Sequence, residues 1–170
     1  MKNEEKIDVA FIIGSESDEK IVQESGILDV LSQCGVIWEF SIISAHRNPE
    51  ELAHYCAEAL SRGIKIFIGA AGMSAHLPGA IASYTKQSCP VIGVALSSPE
   101  YPDAQDALLS MVRMPSGCPV AVTGVGKAGL RNATILACQI LSLTNEEIKN
   151  KLQNYIKTGK KAPRIGIKSS

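Results

Sequence analysis

Ile7-Asp8-Val9-Ala10-Phe11-Ile12-Ile13 runs directly into Gly14-Ser15-Glu16-Ser17-Asp18. The first seven residues are almost continuously apolar and rich in β-branched side chains, as in a strand buried on both faces of a parallel sheet. Gly14 permits a sharp turn, and Asp18 can cap a helix whose inner face carries Ile21, Leu28 and Leu31. Two readings of the turn stand side by side. It is a plain N-cap turn, or it is a small phosphate cradle in which Ser15, Ser17 and backbone N–H groups hold phosphate oxygens while Asp18 accepts from sugar hydroxyls.

The same strand-loop-helix unit recurs outward from there. Val36 to Ile43 is a second strand; it ends in Ser44-Ala45-His46-Arg47-Asn48-Pro49, before a helix with Leu52, Ala53, Cys56, Ala59 and Leu60 on one face. His54 lies off that stripe, four residues from Glu50 and from Glu58, and reads as a solvated helix residue. Ile64 to Ala71 is a third strand that runs into Gly72-Met73-Ser74-Ala75-His76-Leu77-Pro78-Gly79, whose small residues suit either a close approach of backbone to ligand or plain tight packing. Pro90 to Leu96 is a fourth strand, followed by a Ser97 to Pro102 surface loop, a helix over Asp106 to Met114, a Pro115-Ser116-Gly117 stop and a fifth strand, Cys118 to Thr123.

Gly124-Val125-Gly126-Lys127-Ala128-Gly129 spells G-x-G-x-x-G, but the dinucleotide fingerprint needs an acid on a following strand. The next elements are instead a helix over Ala128 to Leu143, apolar or small nearly all round, and a capping box Thr144-Asn145-Glu146-Glu147 that opens a last helix, 145–157, striped by Ile148, Leu152, Tyr155 and Ile156. An all-round apolar helix needs cover on more than one side, and a neighbouring subunit would supply it. Residues 158–170, with Lys160, Lys161, Arg164 and Lys168, read as a loose basic tail. The sum is an α/β fold: one three-layer α/β/α flavodoxin-like domain over 1–170, with a core at about 7–143, a five-stranded parallel sheet and an extra C-terminal helix.

Composition narrows the function. The chain has 170 residues, 17 basic against 17 acidic, with aromatics at 5%, so it lacks the basic footprint and stacking platforms of a nucleic-acid binder. Five scattered cysteines, an odd number with no C-x-x-C, suit a reducing cytoplasm better than a disulfide framework. The apolar run Val9 to Ile13 is too short for a signal peptide, no stretch reaches membrane-spanning length, and the histidines lack metal-ligand spacing. In an open parallel sheet ligands collect at the strand ends, where Arg47 can grip an anion and His46 can move a proton.

Gly14-Ser15-Glu16-Ser17-Asp18, Ser44-Ala45-His46-Arg47-Asn48-Pro49 and Ala75-His76-Leu77-Pro78-Gly79, in this order, resemble the N5-carboxyaminoimidazole ribonucleotide mutase family of purine biosynthesis. The likeness runs from about Val9 to Leu143 and includes Met114-Pro115, Gly117, Pro119-Val120 and Gly126-Lys127-Ala128-Gly129. It implies a rearrangement that carries a carboxylate from the exocyclic nitrogen of an aminoimidazole ribonucleotide to ring carbon C4, with no metal, nucleotide cofactor or biotin, in a cytoplasmic homo-octamer. By resemblance Ser15, Ser17 and Arg47 hold the phosphate, Asp18 the ribose and His46 the travelling proton. Ser44 and Ala45 complete the binding loop, and Gly72, Ser74, Ala75, His76 and Leu77 frame the base and the migrating carboxylate. Such chemistry suits an imidazole that gives a proton to nitrogen and takes one from carbon, in a pocket that holds the freed CO2. Ala70 and Met73 stand where the family has glycines, Ser74 where it has alanine, and the Ser97 to Gln105 loop is longer than usual. The alternatives are a sister carboxylase that takes free CO2, which carries lysine after the histidine and serine-asparagine at positions 75 and 76, and a non-catalytic phosphoribosyl- or nucleotide-binding module.

Overall fold

The structure, a computed structural model, describes residues 6–158. Five strands, β1 (Val9–Ile13), β2 (Trp38–Ile42), β3 (Ile66–Ala71), β4 (Val91–Ala95) and β5 (Ala121–Val125), form one parallel sheet in the order β2-β1-β3-β4-β5. The order doubles back at β1, so the crossovers to β2 and to β3 leave on opposite sides and a crevice opens above the carboxyl ends of those strands. Every residue of β1, β3 and β4 is buried, as continuous apolar runs require.

Side chains alternate across the sheet into two cores. Val9, Phe11, Ile13, Ile66 and Ile68 pack beneath α1 (Glu19–Ser25), α2 (Ile27–Gln33), α6 (Gly126–Ser142) and α7 (Glu146–Thr158). Ala10, Ile12 and Phe67 pack against α3 (Pro49–Ser61), α4 (Leu77–Tyr84) and α5 (Gln105–Val112). Asp8, the one polar residue in the opening run, staples the base of the sheet: one carboxylate oxygen accepts from the Ile37 N–H at 3.3 Å and the other from Lys65 Nζ at 2.7 Å. Among the described residues no helix is long and apolar enough to cross a membrane. The expected basic tail, beyond Thr158, lies outside the described residues.

Several expectations are corrected. The first helix is two, broken at Gly26, which adopts the left-handed conformation at φ 67°. Its buried residues are therefore Val22, Ile27, Val30 and Leu31, while Ile21 and Leu28 are only half covered. Asp18 precedes α1 but makes no side-chain cap. The fifth strand begins at Ala121 instead of Cys118, because Pro115 to Cys118 form a turn closed by Cys118 N–H to the Pro115 carbonyl at 3.1 Å, and it runs on through Gly124 to Val125. Helix α6 is covered from within its own chain, by the sheet on one side and by α1, α2 and α7 on the others, and it does carry a polar strip of Arg131, Asn132 and Gln139. Ile135, Leu136 and Ile140 nevertheless remain only partly buried, and Leu143, just past the helix end, is 82% exposed.

The structure gives the G-x-G-x-x-G motif a packing role. A Cβ built on Gly129 would lie 2.5 Å from the Gly124 carbonyl carbon, so the start of α6 seats directly on the end of β5 only if position 129 is glycine. Among the described residues β5 is the last strand, and none after it supplies a ribose-binding acid. Gly129→Ala is expected to cost roughly 1–3 kcal/mol by overpacking, a fall of roughly 2–12 °C in Tm. A melting curve that superimposes on the parent's would contradict this close seating.

Candidate active site

The loops after β1, β2 and β3 meet above the crevice and enclose a cleft of about 440 Å³, within the usual range for a small-molecule site. Gly14, Ser15, Ser17 and Asp18 line it from the first loop, Ser44 to Arg47 from the second, and Gly72, Met73, Ser74, His76 and Leu77 from the third. Ala75, expected among the framing residues, is buried in the core beneath α3, α4 and α5 and adds no surface to the cleft. Ala71 and Ser98 line the cleft although nothing in the sequence singled them out; Ser98 comes from the loop after β4, which reads as ordinary turn chemistry. His54 stands apart as expected, exposed on α3 with Nδ1 3.5 Å from Glu58.

Local chemistry shapes each loop. In the first, Ser15 Oγ accepts from the Ser17 N–H at 3.3 Å and from the Ser17 hydroxyl at 2.9 Å, which winds residues 16–18 into one short 3-10 turn. Ser17 thus turns both its N–H and its hydroxyl hydrogen to Ser15 Oγ, and the two serines line the same cleft. In the second loop Ser44 Oγ accepts the Arg47 N–H at 3.2 Å and its carbonyl accepts the Asn48 N–H at 2.9 Å, turning the chain so that Pro49 can open α3. Arg47 is exposed just before that helix N-terminus and makes no ion pair among the described residues. A guanidinium beside a helix N-terminus is a strong site for a phosphate dianion.

The third loop brings a contact the sequence does not announce. His46 Nε2 lies 2.9 Å from His76 Nδ1, with the rings edge to face at 83°. One nitrogen must carry a proton and the other a lone pair, so a single proton sits between the rings, and doubly protonating both would set two N–H donors against each other. Each ring keeps its other nitrogen, His46 Nδ1 and His76 Nε2, without a hydrogen-bond partner among the described residues. The loop can pass this close to the sheet because Gly72 backs onto β4: a Cβ there would lie 3.0 Å from the Leu96 carbonyl oxygen.

Asp18 is the group whose acidity the cleft visibly alters. Burial raises its carboxyl above the ordinary 3.8, and the Ser17 hydroxyl lowers it back only in part. A carboxyl that ionises less readily in the folded chain than in the unfolded one costs stability as pH rises through that window. Below 3.8 both states hold the proton and the cost is absent. Asp18→Asn is thus expected to melt above the parent at pH 7 and to lose that advantage below pH 3.8. Thermal melts at both pH values check it; an equal gain at both would contradict the burial argument.

The family model described as AIR carboxylase matches residues 8–162. The chain is similar to the N5-carboxyaminoimidazole ribonucleotide mutase of Pyrococcus horikoshii, at 45% identity over 161 residues, covering 95% of this chain and 86% of that protein. It is similar also to the mutase of that name from Bacillus subtilis, at 44% identity over 144 residues, covering 85% of this chain and 86% of that one. Among solved structures it resembles Treponema denticola PurE, with a TM-score of 0.75 and 28% identity, covering 88% of this chain and 89% of that one.

Proposed function

The chain belongs to the AIR carboxylase family, and we infer from that premise that it is an isomerase, moving a carboxylate from N5 to C4 of N5-carboxyaminoimidazole ribonucleotide in purine biosynthesis. The observation that carries the reading at the level of residues is the convergence of serine hydroxyls, an arginine without an ion-pair partner among the described residues and a histidine pair in one cleft above β1, β2 and β3. Ser15, Ser17 and Arg47 bind the phosphate, Asp18 accepts from the ribose hydroxyls, and Ser44 and Ala45 form the wall between them. Gly72, Ser74, His76 and Leu77 surround the base.

The reaction then needs only a proton carrier and confinement. The N–C bond of the carbamate breaks and its electron pair stays on nitrogen, which takes a proton from His46; the products of this half are the amine and CO2. Carbon C4 attacks the CO2 carbon, the new C–C bond forms, and the C4 proton returns to His46 as the ring regains aromaticity. Protons balance over the cycle, so one imidazole suffices. His76, held against His46 at 2.9 Å, fixes the orientation of that imidazole.

The same proposal places the whole of 1–170 in one catalytic unit, in the cytoplasm, with a ribonucleotide as its small-molecule partner and no nucleic acid or membrane. Its five cysteines are all free thiols, which suits a reducing compartment. The assembly proposed is a homo-octamer; light scattering that returns a stable monomer of 18.1 kDa would contradict it. The function is tested by incubating the protein with N5-carboxyaminoimidazole ribonucleotide without added bicarbonate. The C4-carboxylated isomer should form far faster than in a protein-free control. Turnover of aminoimidazole ribonucleotide with dissolved CO2, and none of the N-carboxylated compound, would make it a carboxylase instead.

A further inference from the structure

Met73 holds a left-handed backbone at φ 51°, a conformation that crowds the Cβ of any residue but glycine. Its side chain is apolar, yet it is 47% exposed and lines the cleft. Neither property serves the core, and a non-glycine residue kept in such a conformation at a site invites a functional explanation. The rest of the wall sharpens it. Gly72 has no room for a side chain, Ser74 is polar, and Leu77, at 2% exposed, forms part of the floor. Met73 is thus the one long apolar side chain that is well exposed in the lining of a cleft whose other members are small, polar or charged residues and the buried Leu77.

We propose that Met73 is the residue that closes the cleft over the reacting centre and retains CO2 between the two halves of the reaction, a role that rests on the mutase reading above. CO2 is small, uncharged and without a hydrogen to donate, so serines, Arg47 and Asp18 hold it poorly. A flexible, polarisable thioether can lie over the base and its departing carboxyl carbon, excluding water from one side and blocking escape on the other.

The test is the partition of N5-carboxyaminoimidazole ribonucleotide between the C4-carboxylated isomer and the decarboxylated amine, corrected for the protein-free rate, in the full-length parent, Met73→Gly and Met73→Leu. Glycine accepts the left-handed backbone, so Met73→Gly should melt at or above the parent temperature. Its amine fraction should nevertheless rise at least threefold, with a matching rise in carbon taken into the isomer from labelled bicarbonate. Met73→Leu, which restores apolar reach, should partition within twofold of the parent. A folded, active Met73→Gly with the parent's partition overturns the role of Met73 and leaves the mutase reading standing. A parent that does not turn over the N-carboxylated substrate overturns both.

Discussion

His46→Asn should turn over N5-carboxyaminoimidazole ribonucleotide at roughly 10²–10⁴-fold below the parent rate, the usual loss when a single acid–base group is removed. Asparagine keeps a hydrogen-bonding side chain of similar reach but cannot exchange a proton at neutral pH. Both halves of the proposed cycle then fail together, since the same ring protonates nitrogen and deprotonates C4. The proposal gives phosphate binding to other residues, so ribonucleotide affinity should stay within a few-fold of the parent's, and the loss should appear in kcat with little change in KM. The variant should also stay folded, because His46 is exposed and its structural contact is the one with His76. Near-parent turnover would move the proton carrier elsewhere, with His76 the next group to test.

The second large effect is on binding. Arg47 is exposed beside the N-terminus of α3 with no carboxylate partner among the described residues, so its charge is available to a ligand. A charge-assisted contact to phosphate is worth about 1.5–3 kcal/mol, so Arg47→Ala should weaken ribonucleotide binding by about 10- to 150-fold. Arg47→Lys should recover part of this, because an ammonium supplies the charge without the planar fork. The corresponding nucleoside, which lacks the phosphate, should bind parent and variants alike, and calorimetric titration separates the cases. If both variants bind the ribonucleotide like the parent, the phosphate sits elsewhere in the cleft.

Much of this arrangement is legible in the sequence, and what is not has physical causes. Buried parallel strands advertise themselves as unbroken β-branched runs, so β1, β3 and β4 fall within two residues of where Ile7 to Ile13, Ile64 to Ala71 and Pro90 to Leu96 place them. β5 is an edge strand of small, half-exposed residues that carries no such signal, and its start is displaced to Ala121. The break between α1 and α2 turns on the left-handed Gly26, a choice that a helical stripe on either side conceals. Helix α6 looks uncovered in sequence only because its covers, α1, α2, α7 and the sheet, are set by topology.

The cleft shows the same division. Ser15, Ser17, Asp18, His46 and Arg47 stand in the loops just after β1 and β2, where the fold sends them together whatever the details of packing. The contact between His46 and His76 joins residues 30 apart in sequence, and it exists because the β2-β1-β3 order lets loops from two non-neighbouring strands close over β1. Ala75 illustrates the converse. Within a motif of small residues, the direction of a single Cβ decides between wall and core, and here it points into the core.

The central claim is that the carboxyl carbon reaches C4 without leaving the cleft. It is measured by supplying N5-carboxyaminoimidazole ribonucleotide with a ¹³C-labelled carboxylate in unlabelled bicarbonate and reading the label at C4 of the product by NMR. The mutase account predicts that nearly all early product carries the label. Product carrying carbon drawn from the bicarbonate pool, with the label released as free CO2, would contradict it.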